Sequence, residues 1–375
     1  MPDAFKNLIN AARVREAGEH LARTWPEFNR AAFEKKALHK LDSLELKARA
    51  MQIADALEAT LPDDFHQAAQ IIESALGPAG EGDGLGFTTD HQGLAGWICW
   101  SLGEVIARRG VEHPTRAFDA LHAITQRFSA EFAIRPLLLA HPEQGVDILM
   151  RWSTDASSHV RRLASEGSRP RLPWGVQLKP FIADPTPMLP LLRALQDDES
   201  AYVRRSVANH VNDIAKDHPA LLAEWLQTHL PEASAERRAL LRHASRTLIK
   251  QGHPAVLQAW GIGGKYKGDA TLKVAPKRVR IGDSVQLILD LKSSARSKQR
   301  LAVDYAVHHV KANGSTSAKV FKGWQLELAP GETRTLAKKH SLKPITTRRY
   351  YPGKHRITVQ VNGRDVAEAV FTLGT

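Results

Sequence analysis

The stretch VRRLASE, residues 160–166, returns in altered form as VRRSVAN at 203–209 and as LRHASRT at 241–247. Each copy opens on an apolar residue, carries arginine one or two places on, and continues with small residues. Matching Arg162 with Arg205 and Arg205 with Arg242 gives separations of 43 and 37 residues. The dipeptide His-Pro, starting at His113, His141, His218 and His253, adds a second beat, and proline suits the first turn of a helix. Periods of about forty residues built from paired helices predict a HEAT-like solenoid, in which each pair buries its apolar side only against its neighbours.

Outward from that repeat, apolar residues recur at three- and four-residue spacing up to about residue 262, as in FEKKALHKLDSLELKARAMQIADALEATL at 33–61. After GIGGKYKG (261–268) the texture turns to alternation. SVQLILDLKSS, RLAVDYAVHHVKA, GWQLELAPG and HRITVQVNGRDVAEAVFTL are separated by Gly, Pro and Asn-Gly turns. The expected fold class is therefore mainly α. A HEAT-like helical-repeat solenoid spans 1–262, residues 263–272 form a linker, and a smaller all-β sandwich spans 273–375. About seven short strands in roughly a hundred residues is the size of an immunoglobulin-like domain.

Composition narrows the function classes. The chain has 375 residues and a formal net charge of +12, which favours an anionic partner. Its one cysteine, Cys99, excludes an intramolecular disulfide and a cysteine-based zinc knuckle. No signal-peptide core or membrane-length apolar run appears, so the expectation is a cytoplasmic monomer with no membrane partner, associated with the nucleoid when bound to DNA. The 17 histidines form no HExxH-type set, and GIGGKYKGD fits neither a P-loop nor a dinucleotide fingerprint. Neither metal nor cofactor is expected.

Charge is distributed unevenly. Residues 265–375 contain 22 Lys and Arg against 8 Asp and Glu, a net of +14, and the remainder carries 30 against 32, a net of −2. In the helical part positive charge is local, centred on RRLASEGSRPRLPWG at 161–175. Arg205, Asn209 and Asp213 stand at helical spacing, and Arg162 and Glu166 repeat the same offset one repeat earlier. Carboxylates repel phosphates, so a groove built only to bind DNA gains nothing from them. They suit hydrolysis of a glycosidic bond, in which a carboxylate stabilises an oxocarbenium-like sugar and orients water while an aromatic face adds a quadrupole attraction.

SAEFAIRPLLLAHPEQGVDIL (129–149), RRLASEGSRPRLPWG (161–175) and VRRSVANHVNDIAKDHP (203–219) resemble the AlkC-type alkylpurine DNA glycosylases, in the HEAT-like repeat superfamily shared with AlkD. The resemblance covers most of residues 1–262, with EGSRPRLPW as its most specific string. It implies monofunctional excision of cationic methylated bases, 3-methyladenine and 3-methylcytosine, from duplex DNA without flipping the base into a pocket. It also implies that Glu131, Glu166 and Asp213 are the acids and that Trp174 packs on the sugar. Some members carry an immunoglobulin-like domain that helps encircle the duplex.

Each residue also has a structural alternative. Glu166 pairs with Arg162 one turn back, Asp213 balances Lys216, and Glu131 closes a helical turn. Arg162, Arg169, Arg171, Arg205 and Arg242 are candidate phosphate clamps, or else cap helices and pair with acids. In the sandwich, the basic stretches 292–300 and 346–356, the latter with Arg348 and Arg349 beside Tyr350 and Tyr351, are candidate DNA contacts or merely solubilising loops. Trp97 and Trp100 read as core, while Trp152 faces either inward or the groove. Two other function classes stay open: a non-catalytic DNA-binding HEAT protein and a protein-protein scaffold.

Overall fold

The structure is a computed structural model that describes residues 5–80, 82–84, 86–262, 264–345 and 348–374. Its helices are α1 (Ala11–Thr24), α2 (Arg30–Ala37), α3 (Leu46–Glu58), α4 (Phe65–Ala75), α5 (Cys99–Arg109), α6 (Pro114–Thr125), α7 (Ile134–Ala140) and α8 (Pro142–Trp152). They continue as α9 (Ser158–Gly167), α10 (Lys179–Ala183), α11 (Leu189–Leu195), α12 (Ala201–Asp217), α13 (Pro219–His229), α14 (Ala235–Ala244), α15 (Arg246–Lys250) and α16 (Pro254–Ala259). The chain forms two compact units, residues 1–217 with 234–244, and residues 218–233 with 245–375.

Local chemistry starts these helices where the sequence suggests. The side chains of Asn10, Asn29 and Asp64 accept from the backbone N–H groups of Arg13, Ala32 and Gln67, satisfying donors that a first helical turn leaves unpaired. Each of the four His-Pro pairs places histidine at the cap and proline inside the first turn, beginning α6, α8, α13 and α16. VRRLASE lies in α9 and VRRSVAN in α12, while LRHASRT closes α14 and opens α15. In the first unit α12 packs against both α9 and α14, so successive copies of the motif are neighbours in space. Val160, Leu163, Val203, Val207, Leu240 and Leu241 are buried at these contacts. Trp100 is buried, and Trp152 faces inward, where its ring meets Phe118 and His122.

The second unit holds β1 (Gly268–Ala275), β2 (Arg278–Arg280), β3 (Ser284–Ser293), β4 (Gln299–Val310), β5 (Thr316–Leu328), β6 (Thr333–Ser341), β7 (Gly353–Val361) and β8 (Arg364–Gly374). One sheet runs β1-β3-β6 and the other β2-β8-β7-β4-β5; β2 and β8 are parallel and the other pairs antiparallel. Along β3 the residues Val285, Leu287, Leu289 and Leu291 alternate into the core, the side-chain period of a strand with one wet face. Strand pairing begins earlier than the alternation suggested, since Gly268, within the stretch read as a linker, already pairs with Ser293. Gly263, also in that stretch, lies outside the described residues.

Helices α13, α15 and α16 belong to the same compact unit as the sandwich. A close backbone approach explains part of this. Gly252, in the turn before α16, lies so near the β7–β8 turn that a Cβ on it would sit 2.6 Å from Gly363 Cα, and both glycines have positive φ. Beside them Asn362 accepts from the Ala302 N–H and donates to the Gly264 carbonyl, each at 2.9 Å.

Candidate active site

The three predicted acids belong to one chain of alternating charge in the first unit. Arg162 of α9 lies 2.8 Å from Glu131 and 3.9 Å from Glu166. Arg169, just beyond α9, donates to Glu166 Oε1 at 2.6 Å and to Asp213 Oδ2 at 2.9 Å. Lys216 donates to the other oxygen of Asp213 at 2.7 Å. The order Glu131, Arg162, Glu166, Arg169, Asp213, Lys216 thus joins the turn before α7, the length of α9 and the second half of α12.

Helical geometry makes the chain possible. Arg162 and Glu166 share a face of α9 one turn apart, and Ser206 and Asp213 share a face of α12 two turns apart. Because α9 and α12 pack together, these faces meet. Ser206 donates to Glu166 Oε2 at 2.7 Å, and Ser129 bridges Glu131 at 2.6 Å and Arg162 at 2.8 Å. The Tyr202 ring lies under the Arg162 guanidinium, 4.8 Å from its centroid. His210, fully buried, meets the Ser165 carbonyl through Nδ1 at 2.9 Å and so ties α12 to α9.

Glu166 is 6% exposed and Asp213 1%, depths at which a lone carboxylate tends to take up a proton. Burial does push the Glu166 carboxyl upward, but Arg162, Arg169 and the Ser206 hydroxyl outweigh it and hold the group below the usual carboxylate range. Burial likewise works against charge on Arg162 and Arg169, and the neighbouring acids reverse that, leaving both more firmly protonated than a free arginine. Burial lowers His210 to about 4, so it is neutral near pH 7. The result is an ionised Glu166 carboxylate fixed in a shielded place.

Trp174 lies outside this network. It is 67% exposed, has φ 65°, and sits in the turn between α9 and α10. The turn is tied by Arg135 of α7, which is fully buried and donates to the carbonyls of Gly167, Arg169 and Val176. Arg135 was missed in the sequence reading; its only signal is a cation inside the apolar run FAIRPLLLA. Ser206 and Ser129 were missed too, because a serine on a helix or turn has no sequence mark of the acid it serves.

Two of the candidate clamps are placed differently from expectation. Arg162 and Arg169 turn inward onto the acids, with side chains 12% and 8% exposed, because the buried carboxylates need compensating charge. Arg171 pairs with Asp217 at 2.7 Å at the surface, Arg205 is exposed on α12, and Arg242 is partly buried on α14. Both structural alternatives for Glu166 and Asp213 are present as contacts, although Glu166 lies closer to Arg169 than to Arg162. In the sandwich Arg348 donates to His309 at 2.9 Å and Arg349 stacks over Tyr351; Thr346 and Thr347 of that basic stretch lie outside the described residues. Among the described residues no group of three or more His, Cys, Asp or Glu is arranged to hold a metal, and no helix is long and apolar enough to cross a membrane.

Comparison with known proteins fits this architecture. The family model described as "Uncharacterised protein YhaZ, C-terminal Ig-like domain" matches residues 269–375. The uncharacterised protein YhaZ of Bacillus subtilis (strain 168) is 35% identical over 369 residues, 96% of either chain. The solved structure of Pseudomonas fluorescens alkylpurine DNA glycosylase AlkC, bound to DNA containing an abasic site analog, is similar over 100% of both chains, with TM-score 0.89 and 34% identity. Helical repeats that carry a buried acid-arginine chain, an immunoglobulin-like sandwich after them, and similarity along the whole length make this chain a member of the AlkC-type alkylpurine DNA glycosylase family, to which YhaZ is also related.

Proposed function

We propose that the protein is a monofunctional DNA glycosylase that hydrolyses the N-glycosidic bond of cationic methylated bases, 3-methyladenine and 3-methylcytosine, in duplex DNA. The observation that carries this reading is the convergence of Glu131, Glu166 and Asp213, from three separate segments, on one chain of ion pairs. Replacing buried ion pairs by apolar residues is often neutral or stabilising, so such a cluster is a weak device for stability alone. Held ionised, it suits a reaction that develops positive charge.

A methylated cationic base is already a good leaving group, so the reaction needs no general acid and no cofactor. What it needs is stabilisation of the deoxyribosyl cation and a positioned water. Ionised, preorganised carboxylates supply the first at no reorganisation cost, and a carboxylate facing the sugar orients the second. Trp174, exposed on its turn, offers a face to the sugar. With charge supplied this way the base need not enter a pocket. The sandwich, at net +14, adds attraction for the backbone through Arg348, Arg349 and the stretch 292–300. The working form in this reading is a cytoplasmic monomer.

One observation favours the competing reading of a DNA-binding repeat without chemistry: the acids are already engaged by internal arginines. The deciding experiment incubates the protein with methylated duplex DNA and identifies the free bases released. Release of 3-methyladenine at a rate that saturates with enzyme is the expected result. DNA that is bound yet keeps its methylated bases after prolonged incubation would leave the binding-only reading standing.

A further inference from the structure

We propose that Arg135 is a positioning residue that sets Trp174 in place for base excision, acting through the turn that carries the tryptophan. The proposal rests on Trp174 meeting the sugar, as proposed above, and it adds the device that holds Trp174 ready.

The geometry is that of a clasp. Residues 167–176 leave α9, turn through Ser168, Arg169 and Pro170, and present Trp174 to solvent. From α7, the Arg135 Nη1 donates to Gly167 O at 2.8 Å and Arg169 O at 2.9 Å, and its Nε donates to Val176 O. One side chain thus ties both ends of the turn. Two leucines pin the turn from below, Leu172 and Leu178, both buried. Two apolar side chains point away, Trp174 at 67% exposure and Val176 at 60%.

Trp174 is not kept there by its own packing. Its left-handed backbone is a conformation unfavourable for a non-glycine residue, and such strain persists only where surrounding structure enforces it. Within the turn the Gly175 N–H donates to the Leu172 carbonyl at 3.2 Å and the Leu178 N–H to the Pro170 carbonyl at 3.1 Å, and Arg135, which is 0% exposed and cannot reach DNA itself, ties the ends together. Its hydrogen bonds go to carbonyls and not to Glu131, Glu166 or Asp213, so removing it strips no hydrogen bond from the acids. Burial is the main force lowering its pKa, to about 10, with Arg169 beside it adding to that and the charges of Asp213, Glu131 and Glu166 opposing it; near pH 7 it remains charged, and Arg135→Lys preserves that charge. A rigid aromatic tip binds without first losing the freedom of a mobile loop.

The test uses the full chain and two independent perturbations. Arg135→Lys keeps a charge but cannot reach three carbonyls at once. Gly175→Ala leaves the arginine intact and puts a Cβ 3.2 Å from its Nε and 3.2 Å from Leu172, loosening the clasp without opening a cavity. Each is measured for single-turnover base release at saturating enzyme, in the parental and Trp174→Ala backgrounds. Trp174 fluorescence and its quenching by acrylamide are read by difference against Trp174→Phe. Expected are a loss of about tenfold or more in release for at least one variant, altered quenching of Trp174, and no further loss once Trp174 is alanine. An equal fold-loss in the Trp174→Ala background, or an unaltered Trp174 signal in both variants, would overturn the proposal. If Arg135→Lys does not fold, Gly175→Ala decides. If the parent releases no base at all, the proposed reaction fails, while the quenching still reports whether Arg135 sets Trp174.

Discussion

Ser206 of α12 donates its hydroxyl hydrogen to Oε2 of Glu166 on α9 across 2.7 Å, and this contact helps to keep a buried acid charged. Burial raises the Glu166 carboxyl, and Arg162, Arg169 and Ser206 together bring it below the ordinary range. The proposed reaction requires the ionised form, so its rate should persist above that group's pKa and be lost as pH falls through it. Ser206→Ala removes one donor to a charged acceptor, and the acid limb should move to higher pH. The check is single-turnover base release as a function of pH. A limb that stays in place would leave Ser206 with a packing role only.

Arg169 and Arg171 lie two residues apart, yet their substitutions should behave in opposite ways. Arg169 is 6% exposed and compensates Glu166 and Asp213; taking it away leaves both acids buried without it, a loss of about 3–5 kcal/mol. Arg169→Ala should therefore lower the melting temperature sharply. Arg171 pairs with Asp217 at the surface, so Arg171→Ala should melt with the parent and bind DNA slightly less well, damaged or not. Arg205 is exposed and has no acid partner among the described residues; Arg205→Ala should weaken both DNAs further and reduce the salt slope by about one. An Arg169→Ala protein that melts like the parent would restore Arg169 to the phosphate-clamp role.

The repeat and the sandwich were legible because both rest on periodicity. His-Pro fixed four helix starts, the VRR motif fell on two helices that pack together, and alternation marked β3, β4 and β7. The convergence of the acids was expected from the family resemblance and from the helical offsets of Glu166 and Asp213 in successive repeats, while the contact between α9 and α12 that completes it is a tertiary fact. That contact also explains why Arg162 and Arg169 take the alternative of pairing with acids. In the sequence Arg162 and Arg169 look like Arg171 and Arg205, and only burial of the neighbouring acids separates them. Gly268 was read as linker because it closes the glycine-rich run GIGGKYKG, although the burial of β1 alternates from its first residues.

The sandwich contains a cluster of buried histidines whose titration opposes folding. His309, His340 and His355 are each 5% exposed or less, and the His309 ring lies 6.4 Å from His340 and 5.8 Å from His355. Burial, with Arg348 acting in the same direction, pushes His309 down to about 3 and His340 to about 4, and burial also lowers His355. Unfolded histidines titrate near 6.5, so between roughly that pH and pH 4 the unfolded chain holds more protons. Stability should be full above the unfolded value and fall as pH drops through this window. His355→Phe, which keeps a ring on Phe371, removes one titrating group and should flatten the fall. Thermal melts of parent and variant across the window provide the check; parallel curves would show that His355 does not contribute.

The sharpest difference between a catalytic and a structural role lies at Glu166 and Asp213. If their carboxylates stabilise a sugar cation, Glu166→Gln should keep its DNA affinity, or bind slightly tighter as phosphate repulsion is relieved, and lose about a hundredfold or more in release. Asp213→Asn should act in the same direction. Both acids share Arg169 and would serve one cation, so the double variant should fall short of the product of the two single losses. Trp174→Ala should also slow release, with a larger effect on binding because contact area is lost. Stability separates the two roles: glutamine keeps one acceptor oxygen where Glu166 offers two, one to Arg169 and one to Ser206, so a purely structural Glu166 predicts a lower melting temperature with release unchanged per folded molecule. Single-turnover release of 3-methyladenine at saturating enzyme, with melting curves of the same proteins, measures both quantities. A Glu166→Gln protein that excises at the parental rate would reduce the carboxylate to the partner of Arg169 and Arg162, and the acid chain to a device for joining α9 to α12.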